Sequence, residues 1–201
     1  MKQSINTIIT GVGGQGNVLA AKLLAAAALA DGWEVSVGDV YGLSQRGGSV
    51  ASHIRWNRDR MMPPLVPEGD LDFLLAFEPL EALRIMTQYG NKHTVVVVND
   101  HPVNPVGVQA GRFLYPDVEA LYRLLEKMSK KVWWVSGTDT AKSLGNIQFL
   151  NTIMLGTFFA TGQLGIRAEL FEDAIRQTVP ARYALPNIAA FSRGKALCSR
   201  Q

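Results

Sequence analysis

The stretch INTIITGVGGQGNVLAAKLLAAAALADG, residues 5–32, constrains the fold more than any other part of the chain. β-Branched Ile5, Ile8 and Ile9 favour a strand. A glycine-rich turn follows. Next comes NVLAAKLLAAAALA, built from the strongest helix formers, and Gly32 is placed to end that helix. A second β-rich run, WEVSVGDVY, comes next. This strand–helix–strand opening implies that the first two strands pair in parallel through a right-handed crossover.

The rest of the chain keeps the alternation. SVASHIRW has period two, with Val50, Ser52, Ile54 and Trp56 on one face and Ala51, His53 and Arg55 on the other. NRDRMMPPLVPEGD, with three prolines, reads as irregular linker. LDFLLAFE and TVVVVND are near-continuous apolar runs, as expected of strands covered on both faces. PLEALRIMTQYG is a helix with Pro79 at its start. PDVEALYRLLEKMSK is an amphipathic helix with Val118, Leu121, Leu125 and Met128 on one stripe, and KVWWVSG is a further strand. After Gly137 the pattern turns helical: TDTAKSLG, NIQFLNTIMLGTFFATG, RAELFEDAIRQTV and NIAAFSRGKAL. The expected class is α/β: a Rossmann-like, doubly wound, mostly parallel sheet with a C-terminal helical cover. A length of 201 residues suits one such domain over the whole chain, with the cover from about residue 138.

Composition excludes several function classes. Apolar residues make up 47% and charged residues 18%, which supports a core and argues against disorder. The basic excess is small, 20 Lys and Arg against 17 Asp and Glu, and forms no run, so nucleic-acid binding is not expected. The opening MKQSINTIIT lacks the features of a signal peptide, and FLNTIMLGTFFATG is too short and too polar to span a bilayer. The expected setting is cytoplasmic and away from membranes. Cys198 is the only cysteine. One thiolate cannot close an internal disulfide, and it cannot supply the four ligands an iron–sulfur cluster normally takes.

Two glycine loops are the candidate sites. Gly11, Gly13, Gly14, Gln15 and Gly16 fit G-x-G-x-x-G between strand and helix, where backbone amides at a helix N-terminus donate to a phosphate. Asp39, near the end of the second strand, lies where a ribose-binding acid would sit, although the added Gly14 and Gln15 are unusual for a dinucleotide binder. The second loop, GLSQRGG, follows the second strand, and both loops should leave the same sheet edge close together. There Arg46 offers a planar, permanently charged fork for phosphate or carboxylate, Gly47 and Gly48 allow close backbone approach, and His53 and Arg55 add polarity. The plain alternatives are an unliganded tight turn and an arginine paired with a surface acid. Asn151 sits on the apolar stripe formed by Ile147, Met154, Leu155 and Phe158. Its amide needs partners, either a loop backbone or a ligand. Glu78 ends a buried strand or caps the helix at Pro79, and the Asn99-Asp100-His101 turn lies at another strand end. No HExxH, P-loop lysine or GxSxG elbow is present. No residue is assigned as catalytic acid, base or nucleophile, and no metal site is expected.

Taken in order, GVGGQG, SQRGGSVASHIR, PLVPEGDLDFLLAFEPLEALR, VVVND and NTIMLG resemble the gamma-type subunit or domain of 2-oxoacid:ferredoxin oxidoreductases. The likeness is strongest to the beta subunit of the indolepyruvate branch. The resemblance implies that this chain alone holds no cofactor and is inactive alone. A larger alpha partner carries thiamine diphosphate, magnesium and 4Fe–4S clusters, decarboxylates an aryl 2-oxoacid to an acyl-CoA and reduces ferredoxin. In such complexes a homodimer within a heterotetramer is one arrangement, and the gamma domain lies near the thiamine site and contributes to coenzyme A access. Carried over by position, Gly11, Gly13, Gly14, Gln15 and Gly16 match one family motif, and Ser44, Gln45, Arg46, Gly47 and Gly48 match the other. With Asn151 these are the candidate cofactor-binding residues. Two readings stand beside this one: a free-standing Rossmann-type enzyme binding NAD(P) or FAD, and a nucleotide-sensing module.

Overall fold

The computed structural model describes residues 4–42, 48–104, 108, 111 and 114–198. Six strands form one mixed sheet: β1 (Ser4–Val12), β2 (Glu34–Tyr41), β3 (Ser49–Asn57), β4 (Phe73–Ala76), β5 (Val95–Asn99) and β6 (Lys131–Val135). Their order across the sheet is β2-β3-β1-β4-β5-β6. The pairs β1–β4, β4–β5 and β5–β6 are parallel.

The first two strands do not pair, contrary to the expectation from the strand–helix–strand opening. β3 lies between them, antiparallel to both. β2 and β3 form a hairpin, and the hairpin's second strand docks on β1. Burial explains the choice. Eight of the nine residues of β3 are buried, whereas five of the eight in β2 are exposed. Placing β3 inside covers Ile54 and Trp56 completely and leaves the more polar EVSVGDVY on the rim. β1 and β2 still run in the same direction, so their carboxyl ends share one edge.

The period-two pattern sorts the core onto two faces. Ile5, Ile9, Ile54, Trp56, Phe73, Leu75, Val95 and Val97 face one side; Ile8, Ala51, Leu74, Ala76, Val96 and Val98 face the other. The second side is covered by α2 (Pro79–Tyr89) and α3 (Val118–Met128), through Ala82, Ile85, Met86 and Leu125. The 58–72 segment adds Val66 and Leu71 there. His53 Nδ1 accepts from Val66 N at 3.1 Å, and the Arg55 guanidinium donates to Asn6 Oδ1, Pro63 O and Leu65 O. These two side chains, 1% and 6% exposed, bind the linker to β3. They do not add polarity to the glycine-loop edge, because the alternation that puts them on one face points them under the linker.

On the first side lie α1 (Asn17–Ala30), α4 (Gly137–Ser143), α5 (Leu150–Ala160), α6 (Ala168–Thr178) and α7 (Ala181–Cys198). α1 is packed between the sheet and α6. Its alanines suit that position, since Ala20, Ala21, Ala27 and Ala28 are all buried and their small side chains let neighbours approach closely. α5 lies on β4 and β5, so the C-terminal helices form most of one face of the sandwich. α7 starts at Ala181 and carries Pro186 inside it, six residues before the NIAAFSRGKAL pattern suggests. No helix among the described residues is long and apolar enough to cross a membrane.

Candidate functional site

β1 ends in the glycine turn. Gly14 (φ 108°) and Gly16 (φ 86°) hold left-handed backbone that side chains disfavour. Gln15 folds back over the end of β1. Its Oε1 accepts from Val12 N at 2.7 Å, and its Nε2 donates to Phe77 O at 3.1 Å, just past β4. Asn99 Nδ2 donates to the same Phe77 oxygen at 3.1 Å and to Thr138 Oγ1 at 3.0 Å, and Asn99 Oδ1 accepts from Thr138 N. Two amide side chains thus stitch the carboxyl ends of β1, β4, β5 and β6 together. Gly11 is glycine because a Cβ there would stand 2.6 Å from Gln15 Oε1 and 2.9 Å from Asn17 Oδ1.

The two loops meet. Gly13 N donates to Gly48 O at 2.8 Å, and Gly42 N closes the hairpin on Ser49 O at 2.8 Å. Ser44, Gln45, Arg46 and Gly47 lie outside the described residues.

Beyond this edge opens a cavity of about 550 Å³, between the glycine turn and the C-terminal helices. Gly14, Gln15 and Gly16 line it on the sheet side, with His101 after β5 and Thr138 and Lys142 on α4. The opposite wall is Asn146, Gln148, Phe149 and Asn151 around the start of α5, and Tyr183 and Asn187 on α7. Leu19, Leu150, Val179 and Pro180 supply apolar surface. α1 begins here with no side-chain cap and no acid in its first turn. Its N–H groups and partial positive charge therefore lie beside Lys142 and His101. This combination of amides, an ammonium and apolar walls suits an anion attached to an apolar body.

Asn151 is 5% exposed. Its Oδ1 accepts from Thr152 N at 2.7 Å. Its amide nitrogen lies against Gly16, 2.7 Å from where a Cβ would be. Thr152 Oγ1 donates on to Asn187 Oδ1 at 2.7 Å. Of the eleven residues singled out in the sequence, Gly14, Gln15, Gly16 and Asn151 line the cavity, while Gly11, Gly13 and Gly48 support it from behind. Asp39 is not where a ribose acid would sit. β3 separates β2 from β1, and the Asp39 carboxylate accepts from Ser52 Oγ at 2.5 Å.

Glu78 caps α2, accepting from Glu81 N at 2.8 Å, and also accepts from Tyr115 Oη and Val103 N. Burial pushes its carboxyl above the usual glutamate range, against the pull of those hydrogen bonds.

Sequence reasoning missed Lys142, Asn146, Gln148, Tyr183 and Asn187. Lys142 carries a weak signal, a lone base on a short helix after a strand end. The others carry none, since only the docking of α5 and α7 brings them here. It also missed Asn17, whose buried Oδ1 has no hydrogen-bond partner.

The family described as pyruvate ferredoxin/flavodoxin oxidoreductase matches residues 6–197. The chain is 39% identical over 190 residues to the indolepyruvate oxidoreductase subunit IorB of Pyrococcus horikoshii, covering 94% of this chain and 93% of that one. The solved gamma subunit of a keto/oxoacid ferredoxin oxidoreductase from Geobacter sulfurreducens superposes with a TM-score of 0.71 at 22% identity, over 98% of this chain and 99% of that one. The 2-oxoglutarate:ferredoxin oxidoreductase from Magnetococcus marinus, solved with 2-oxoglutarate, coenzyme A and succinyl-CoA bound, gives 0.75 at 19% identity. All of this chain aligns to 32% of that one. At these identities the solved structures establish the fold.

Proposed function

The chain belongs to the pyruvate ferredoxin/flavodoxin oxidoreductase family, and from this premise we propose that it is the cofactor-free subunit of an indolepyruvate-type 2-oxoacid:ferredoxin oxidoreductase. The complex converts an aryl 2-oxoacid, coenzyme A and oxidised ferredoxin to an acyl-CoA, carbon dioxide and reduced ferredoxin. A larger alpha subunit holds thiamine diphosphate with magnesium and the 4Fe–4S clusters, and the complex works in the cytoplasm. When bound, thiamine diphosphate supplies the decarboxylation chemistry.

This chain's contribution is to bind and orient coenzyme A. The observation that carries the reading is the cavity between the glycine turn and the helical cover. The α1 amides and Lys142 suit phosphate, Leu19, Phe149 and Val179 suit the apolar arm, and the polar groups of Asn151 and Tyr183 can orient the amides of that arm. Arg46, which follows β2 in the sequence, is the proposed further cation toward the partner's active site. The position of Asp39 counts against a free-standing dinucleotide enzyme.

Steady-state kinetics on the purified two-subunit complex test this. Lys142→Ala is expected to raise KM for coenzyme A about tenfold, the value of one charge-assisted hydrogen bond, and to leave KM for the 2-oxoacid unchanged. Turnover by this chain alone, or an unchanged KM for coenzyme A, would overturn the reading. Flat calorimetric titrations with NADH, NADPH and FAD are expected.

A further inference from the structure

The outer edge of β2 is an unpaired strand edge. Gly42 N bonds Ser49 O, which makes 42/49 a hydrogen-bonded pair of the hairpin. Antiparallel pairing alternates, so residues 40, 38, 36 and 34 also turn their backbone groups to β3. Val35, Val37, Asp39 and Tyr41 must then turn theirs outward. Among the described residues no hydrogen bond to these outward groups is found. The edge carries two acids, Glu34 and Asp39, but no lysine and no proline, and its register with β3 runs without a bulge. The opposite edge, β6, is shorter and carries Lys131, whose ammonium lies 3.6 Å from the Trp133 ring centroid. Apolar side chains flank the β2 edge. Val37, Val40 and Tyr41 are 41%, 45% and 46% exposed, and Leu65, packed near Gly38, is 54% exposed.

We infer that β2 pairs antiparallel with β2 of a second copy of this chain across a two-fold axis at Gly38, joining two six-stranded sheets into one of twelve. The outward residues select the register. Centred on Gly38, Val37 faces the second Asp39 and Val35 faces the second Tyr41, so all four outward residues exchange bonds and no like charges are opposed. Centring on Asp39 sets two carboxylates face to face, and centring on Val37 leaves Tyr41 unpaired. Asp39 is already turned onto its own sheet face by Ser52 Oγ, which leaves the edge clear. The pairing does not rest on the catalytic reading.

Disulfide trapping in the full-length chain tests both the pairing and the register. Under mild oxidation Val37→Cys/Asp39→Cys is expected to run as a covalent dimer on non-reducing gels. Val37→Cys/Tyr41→Cys, whose thiols would be offset by two residues, is expected to stay monomeric. By analytical ultracentrifugation the unmodified chain should sediment as a dimer. Val37→Pro, which removes one outward N–H and touches no bond to β3, should halve that mass. Three results would each overturn the inference: a monomeric unmodified chain, trapping in the offset pair alone, and amide-exchange protection of residues 35–41 that arises only on binding the partner subunit.

Discussion

Gly194 stands where α7 crosses α5, and replacing it with alanine should separate the two helices. A Cβ at Gly194 would lie 2.0 Å from Ile153 O and 2.8 Å from Ile153 C, both backbone atoms that cannot swing aside. Reciprocally, a Cβ at Gly156 would lie 2.1 Å from Phe191 O. Restoring an ordinary contact of about 3.5 Å requires the axes to part by roughly 1.5 Å. Such a gap forfeits a large part of the dispersion across the crossing, which puts the cost at the upper end of the usual overpacking range, about 3 kcal/mol. It also stretches the bond from Thr157 Oγ1 to Gly194 O, now 2.9 Å, worth about 1 kcal/mol. Helix propensity returns up to about 1 kcal/mol. The net loss is about 3 kcal/mol, or a fall in Tm of roughly 6–12 °C for a chain of this size. Differential scanning calorimetry reads it directly, with exposed Ser192→Ala on the same helix as a control that should leave Tm level or raise it slightly. If Gly194→Ala melts at or above the unmodified protein, helix propensity outweighs the crossing and the close-contact argument is wrong. Because Asn151 and Tyr183 sit on these two helices, coenzyme A affinity should fall in the same variant.

Gly16→Ala combines left-handed backbone with contact against the Asn151 amide; a loss of about 1–2 kcal/mol is expected from the backbone alone, measured by chemical denaturation, together with weaker ligand binding. Gln15→Ala removes the acceptor of Val12 N and one donor to Phe77 O, and leaving that amide unpaired should cost about 1–3 kcal/mol on the same assay. Burial raises the Glu78 pKa, so the folded chain binds more protons there than the unfolded one. Stability from this group is greatest at or below the ordinary glutamate value and declines as pH rises through the raised one; Glu78→Gln should flatten that part of a Tm-against-pH profile. Burial lowers the His53 pKa, against the opposing pull of the Asp39 charge. Its contribution is complete above the ordinary imidazole value and is lost as pH falls toward the depressed one, and His53→Gln should reduce the slope there.

Local chemistry made much of the fold readable. The glycine turn, the alanine-rich helix and the β-branched runs each specify an element over a few residues, because strand and helix periods and left-handed turns act at short range. The helix boundary at Pro186 was misread for the same reason, since a local breaker was outweighed by packing of the whole helix. The site divides similarly. Gly14, Gly16 and Asn151 stand out by residue type in the wrong local company: glycines before a helix, an amide on an apolar stripe. Tyr183 and Asn187 carry no such mark.

By itself the sequence determined the elements, the family and the glycine turn that begins the site, all set by short-range conformational preference and by motif. Only the tertiary structure decided which strand neighbours β1. Inserting β3 buries Ile54 and Trp56 and leaves polar β2 at the rim, a gain that depends on surface removed from water across the whole sheet. That one choice moved Asp39 away from the glycine turn and left β2 with an open edge. No local pattern encodes these two outcomes, since each depends on segments far apart in the chain.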